Sequence, residues 1–256
     1  MTWPYHFIYF QCVFVFSCNR VKSFSQKGAL RALDLALQKN KRGCELFIDF
    51  LGLKTLFRIL MKGPCKNAVV KSKADTRDFY GLYLNLLFLS LHFIHLFFEC
   101  VVYVCLIEGA LSCIISLFMQ LDEGERRSRL LGKFGEADNE KIARIVELHC
   151  QFVQQYTKAQ KLFEKISLTD PEQRLTQQIE AGLSVVQTSA VVIALVCSAS
   201  AEYRRRAFVE LAKQRVDPSD IEKHSMNYVE QLIADTDPQH AAMLTFISEA
   251  RLSSPI

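Results

Sequence analysis

The sequence predicts an all-α protein, an α-solenoid fragment that carries a helical lobe at its C-terminal end. Three observations lead there. Apolar residues keep helical spacing from residue 28 onward, with no β-type alternation to compete. The run FIDFLGLKTLFRIL from Phe47 joins two short apolar helices through a Gly-Leu joint that leaves no room for a catalytic loop. Three Asp-Pro pairs in the last third mark helix starts. Composition agrees: half of the 256 residues are hydrophobic and only 10 are Gly and 6 Pro, so enough apolar area exists to offset the entropy of ordering.

Taken in order, Leu30, Leu33, Leu35, Ala36 and Leu37 put an apolar stripe on a first helix. Phe47, Ile48, Phe50 and Leu51, then Leu53, Leu56, Phe57, Ile59 and Leu60, do the same on two short ones, with Gly52 breaking the run between them. A unit of this kind cannot bury its apolar face alone. It needs stacked neighbours, and stacked helix pairs generate a long concave surface suited to peptides. From Lys62 to Asp78 a basic stretch reads as a linker, with Gly63-Pro64 at its start. Ala110, Leu111, Ile114, Ile115, Leu117 and Phe118 form a helix that ends near Gly124, and Glu125 to Phe134 a short basic one. A long helix follows from about Asn139 to Lys165, with Asp138 as its cap.

The Asp-Pro pairs open the remaining helices. At Asp170-Pro171, Asp217-Pro218 and Asp237-Pro238 the carboxylate can accept a free backbone N–H and oppose the helix dipole, while Pro gives up no needed donor. The first of these helices is expected to run to about Ala199 and to be buried over its second half, because Ala190 to Cys197 carry no charge. Helices over Ala201–Arg215, Ser219–Ala234 and Gln239–Arg251 complete the chain.

Two stretches stand apart. Residues 1–26 carry no charge before Arg20 and are crowded with aromatics, without the basic start and small-residue cleavage site of a signal peptide. Residues 79–107 contain a single charge, Glu99, and are long enough for a transmembrane helix, which makes a membrane-anchored helical protein the alternative reading. His92, His95 and Asn85 interrupt that run and everything after it reads as amphipathic helix, so it is treated as an apolar insertion. Both stretches are rich in residues with pyrimidine-rich codons, the composition expected of translated intron. The domain reading is thus a segment over 1–26 and one helical region over 27–256, interrupted at 79–107.

Charge is distributed unevenly. Between Arg20 and Arg77 fourteen Lys or Arg face four acids, a net +10, whereas Val216 to Ile256 hold two cations against seven acids, a net −5. Solvated faces account for such imbalances, yet an acidic lobe is also what a partner with a basic segment needs. Asp217, Asp220, Glu222, Asp235 and Asp237 are the candidate partner-binding residues.

Catalytic patterns are missing from the sequence. No phosphate-binding Gly loop, dinucleotide turn, nucleophile elbow or H-E-x-x-H helix occurs, and no cofactor is expected. His92, His95, Cys100 and Cys105 match no common zinc spacing, so no metal is expected either. His149, His224 and His240 belong to no recognisable triad and are read as core or surface histidines. Arg126, Arg127 and Arg129, and Arg204 to Arg206, lack interleaved aromatics and are read as solvated faces, without direct sequence-specific nucleic-acid contact. Nine scattered cysteines fit a reducing compartment, with Cys44, Cys113, Cys150 and Cys197 packed as small hydrophobes.

ALRALDLALQ from Ala29, FIDFLGLKTLF from Phe47, RSRLLGKF from Arg127, EKIARIVELH from Glu140 and EAGLSVVQ from Glu180 together resemble the C-terminal part of the beta-catenin-like family of spliceosome-associated proteins. The resemblance implies an armadillo-like helical repeat, a nuclear location and association with the core pre-mRNA splicing complex that contains the Prp-nineteen ubiquitin ligase. It implies no enzyme activity. Its expected partners are splicing-factor proteins with basic, nuclear-localisation-type segments, with a homo-oligomer left open.

Overall fold

A computed structural model describes residues 23–63, 101–166, 171–231 and 238–252. Every regular element among them is an α-helix, as expected. The first is α1 (Ser23–Leu37), whose Leu30, Leu33 and Leu37 recur at three- and four-residue intervals and are fully buried. Asn40 makes the corner into α2 (Lys41–Asp49): its side-chain oxygen accepts from the Gly43 amide at 2.9 Å, and its amide donates to the Ala36 carbonyl at 2.9 Å. One side chain therefore serves both the end of one helix and the start of the next.

The joint between α2 and α3 (Gly52–Leu60) differs from expectation in its mechanism. Leu51, not Gly52, takes the left-handed backbone (φ 63°), and it does so exposed to solvent. Gly52 is the first residue of the helix, and a Cβ there would lie 2.3 Å from the Phe47 ring. Glycine is required by close packing at this corner.

Helix α4 (Val101–Gln120) supplies the floor. By length and composition it could cross a bilayer, with a mean hydropathy of 2.2, but more than half of that window is buried within the fold. Ile107, Ala110, Leu111, Cys113, Ile114, Leu117 and Phe118 are among the most buried side chains of the chain. The described part of the 79–107 stretch is the start of this helix, where Val102, Leu106 and Ile107 join the core. Residues 79–100 and 1–22 lie outside the described residues.

Helix α5 (Glu125–Gly135) clamps α2 and α4 together. Arg126 forks onto the Asp49 carboxylate at 2.9 and 2.8 Å, while Phe134 meets Phe57 edge-on at 5.2 Å. Arg127 is 7 % exposed and donates to the carbonyls of Phe118 and Leu121 at the end of α4. The solvated face expected for this cluster is therefore corrected: the open carbonyls of a neighbouring helix draw Arg127 inward.

The long helix α6 (Glu140–Ile166) begins one residue later than its expected cap implies. Ala137, Asp138 and Asn139 are all left-handed, and the Asn139 carbonyl takes the first helical bonds, from Ile142 and Ala143. Asp138 instead binds Arg206 of α9 (Ala201–Gln214), at 2.7 Å. Strong ion-pair geometry across helices displaces the local cap.

The helix expected over 171–199 is two helices, α7 (Pro171–Glu180) and α8 (Leu183–Ala199). Gly182, at φ 98°, turns the chain between them, and the Phe152 ring sits where its Cβ would be, 2.6 Å away. Val185 to Cys197 are buried without interruption, which is the second half of that span, as expected. Around α8 pack α5, α6, α7, α9, α10 (Pro218–Gln231) and α11 (Pro238–Glu249). A helix apolar on all sides can only be a central one.

Candidate functional site

A groove opens where α1 and α4 face α7, α8, α10 and α11. It has two chambers, of about 600 and about 510 Å³, which adjoin at Ser112 and Tyr228, residues that line both. That size suits side chains of an extended peptide.

The first chamber is largely apolar in surface and holds four charges. Lys27, Arg31 and Asp34 enter from α1, and Glu108 from α4. Asp34 is 1 % exposed because its position falls on the buried stripe of α1, four residues after Leu30 and three before Leu37. One of its oxygens accepts from the Ser112 hydroxyl at 2.6 Å and the other from Arg31 at 3.4 Å. Glu108 is half-buried and forms no ion pair or hydrogen bond with any described residue. Gln187 of α8 is 5 % exposed and lines the chamber, again without a hydrogen bond to any described residue. Burial pushes the Tyr228 phenol above its ordinary range, and the carboxylates of Asp34 and Glu108 push it further. Two cations, two carboxylates and unused hydrogen-bonding groups thus converge on one cavity whose charges balance.

The second chamber is mixed, about as polar as apolar. Leu35, Ile115, Met119 and Met243 line it together with Gln38, Lys39, Ser116, Gln239 and His240. Leu35 is 59 % exposed, an open leucine beside flexible methionines.

The acidic residues singled out from the sequence lie at the far end of α10. The Asp217 carboxylate accepts from the Ser219 amide at 2.9 Å, which caps the helix and holds the carboxyl below its ordinary range. Asp220 is exposed and Glu222 half-buried in the following turn. From Asp217 to Tyr228 the helix rise amounts to roughly 16 Å, so these acids neighbour the groove without lining it. Asp235 and Asp237 lie outside the described residues.

A second polar cluster is buried between α6, α8 and α10. His149 Nδ1 lies 2.9 Å from the Ser189 hydroxyl and 3.2 Å from the Val186 carbonyl, and Nε2 lies 3.4 Å from His224 Nδ1. The Ser189 hydroxyl donates to the Val185 carbonyl at 2.6 Å, so Nδ1 carries the proton and Nε2 accepts from His224. Burial, aided by His224, drives the His149 pKa down to about 3. With no exposed surface at all, His149 is a satisfied core histidine, as expected.

Cys44, Cys113, Cys150 and Cys197 are free and buried, also as expected, and burial raises all four thiols. Of the four residues weighed as zinc ligands, Cys105 lines the first chamber while His92, His95 and Cys100 fall outside the described residues. No three metal-binding side chains converge among the described residues.

An all-helical fold with an open groove between its outer helices defines the class of protein to which helical-repeat scaffolds belong. The chain belongs to the family described as "Catenin-beta-like, Arm-motif containing nuclear", whose profile matches residues 14–91 and 105–227. These spans include parts of both stretches set apart in the sequence and leave out residues 92–104. The chain is also similar to beta-catenin-like protein 1 of Homo sapiens, Bos taurus and Mus musculus, in each case 28 % identical over 229 residues. The match covers 84 % of this chain and 35 % of each relative, so the chain spans about a third of their length.

Proposed function

We propose that this protein is a non-enzymatic nuclear scaffold that binds proteins of the pre-mRNA splicing machinery through their basic segments. The observation that carries this reading is the first chamber of the groove. There the Asp34 and Glu108 carboxylates, with Lys27 and Arg31 beside them, offer acceptors for a cationic side chain, and the Gln187 carboxamide, which bonds to no described residue, offers a partner for a peptide backbone. The second chamber, of mixed lining, takes an adjoining side chain of the same peptide. Asp217, Asp220, Glu222, Asp235 and Asp237 raise the local concentration of basic ligands by long-range attraction. The family description supports the nuclear part of this reading, and the splicing part rests on what the sequence resemblance implies.

Fluorescence anisotropy tests this directly. A fluorescein-labelled Lys-Arg-Lys-Arg-Leu peptide is titrated with the full chain over a salt series, beside a Glu-Asp-Glu-Asp-Leu control. Binding of the basic peptide alone, weakening as salt rises, is the expected outcome. Equal binding of both peptides, or of neither, refutes the reading.

A further inference from the structure

One wall of the first chamber carries a thiol. Cys105 stands on α4, and Glu108, three residues on, shares its face of the helix. Cys105 is the one half-exposed cysteine among the described residues. Cys44, Cys113, Cys150 and Cys197 are buried, and burial keeps their thiols protonated by raising them above the ordinary range. Around Cys105 lie three groups with nothing to bind. Lys27 of α1 and Glu108 are half-buried and form no ion pair or hydrogen bond with any described residue. Gln187 of α8 is 5 % exposed, lines the same cavity and bonds to no described residue either. A fourth group, Arg31, is tied to Asp34 by a single contact of 3.4 Å while its side chain is 69 % exposed, a weak tie that leaves the guanidinium free to turn. Two cations, a carboxylate, a carboxamide and a thiol, open to one space of about 600 Å³, are the complement of a small zwitterionic peptide that has a sulfur of its own.

We infer that Cys105 is a modification site that takes glutathione as a mixed disulfide, with the chamber binding the tripeptide around it. This goes beyond the scaffold reading and does not depend on it, since no partner protein takes part. Glutathione carries two carboxylates, one ammonium and two amides about a central cysteine. Lys27 and Arg31 meet the carboxylates, Glu108 the ammonium and Gln187 an amide. The reaction is thiol–disulfide exchange with glutathione disulfide as the oxidant. The Cys105 thiol gives its proton to solvent and its sulfur attacks one sulfur of the disulfide. The S–S bond of the reagent breaks as the new one forms, and the second glutathione leaves as a thiolate that takes up a proton. Reduced glutathione in excess reverses the step, so the adduct marks an oxidised glutathione pool.

The test treats the reduced full chain with glutathione disulfide near neutral pH, and in parallel with hydroxyethyl disulfide, which undergoes the same exchange without charges or amides. Proteolysis and mass spectrometry locate each adduct, and the rate at Cys105 is divided by that of a Gly-Cys-Gly peptide with the same reagent. The ratio of the two corrected rates is the preference for glutathione, and it cancels any change in the thiol itself. Lys27→Gln and Glu108→Gln each remove one charged contact, and Lys54→Gln removes an equal charge at an exposed position of α3 that lines neither chamber. Helix content of each variant is checked by circular dichroism. The expected result is an adduct at Cys105 with a preference of about tenfold, reduced about three- to fivefold by Lys27→Gln and by Glu108→Gln and unchanged by Lys54→Gln. If Cys105 stays unmodified while other cysteines react, the inference is overturned. If Cys105 reacts with both reagents alike, or its preference survives both Lys27→Gln and Glu108→Gln, it is an accessible thiol that the chamber does not serve, and the inference fails.

Discussion

Lowering the pH from 8 to 5 destabilises this fold through His149, and the size of the effect follows from its surroundings. The imidazole is fully buried between α6, α8 and α10, and burial with the neighbouring His224 lowers its pKa from 6.5 to about 3. The unfolded chain therefore takes up a proton near pH 6.5 that the folded chain refuses until about pH 3. The stabilisation is complete above pH 6.5, declines as the pH falls, and is exhausted below the folded value. At about 1.4 kcal/mol for each pH unit between the two values, the whole contribution is about 5 kcal/mol and the part lost by pH 5 is about 2 kcal/mol. His224, also depressed by burial, adds in the same direction. Urea unfolding of the full chain at both pH values, beside His149→Gln, isolates this contribution, because the variant keeps an amide for Ser189 and has nothing to titrate. The parent is expected to lose about 2 kcal/mol more than the variant over this interval. Equal losses refute the argument that His149 stays neutral in the fold.

Other outcomes follow from the same packing. Gly52→Ala drives a methyl group into the Phe47 ring and Gly182→Ala adds backbone strain at φ 98° to a clash with Phe152, so each is expected to cost about 1–3 kcal/mol in urea unfolding. Arg127→Met keeps volume but leaves the Phe118 and Leu121 carbonyls without their donor, an expected loss of about 2–4 kcal/mol, whereas Arg126→Ala at the exposed Asp49 pair leaves the unfolding midpoint unchanged. Reversing charge at Asp217, Glu222 and Asp235 together slows association with the basic peptide at low salt and has no effect in high salt, which stopped-flow anisotropy measures. Unchanged association at low salt removes the steering role of the acidic lobe and leaves the groove intact.

The helices were legible because their signals are local. Leu30, Leu33 and Leu37 declare a buried stripe by spacing alone, and the uncharged run from Ala190 to Cys197 declares a central helix. Joints were legible as places but not as mechanisms. The sequence marks Gly52, yet only the fold shows that the Phe47 ring needs the space and that Leu51 bears the left-handed turn. Gly182 sits inside an unbroken helical pattern, and the Phe152 ring that fills the place of its Cβ comes from another helix. The groove was the least legible feature, because Asp34, Glu108, Gln187 and Tyr228 come from four helices and each has a bland reading alone. Two signals did exist: a carboxylate on the leucine stripe of α1, and a carboxamide in the uncharged start of α8. A polar group on a buried face needs a partner, and where the fold supplies none a cavity is the expected neighbour.

Arg127 departs from the solvated face expected of its cluster for a related reason, while Arg126, Arg129 and Arg205 stay exposed, and the role of Arg127 bears on how this repeat holds together. A helix end leaves four carbonyls without helical partners, and in a stack of short helices many such ends point into neighbouring pairs. Arg127 closes the end of α4, while Arg144, 9 % exposed, donates to the Leu60 and Lys62 carbonyls at the end of α3 and to the Tyr103 hydroxyl. Arg204 reaches the Cys197 carbonyl of α8 and the Glu249 carbonyl of α11. The bonds of Arg144 to the end of α3 bridge more than eighty residues of chain. A guanidinium suits this task because its planar fork satisfies several acceptors at once and its charge opposes the negative end of the helix dipole. From sequence, a run such as Arg126-Arg127 shows one charge density. In the fold its members divide, one onto a solvent-exposed carboxylate and the next into the core, and it is the second kind that joins adjacent helix pairs into one stack.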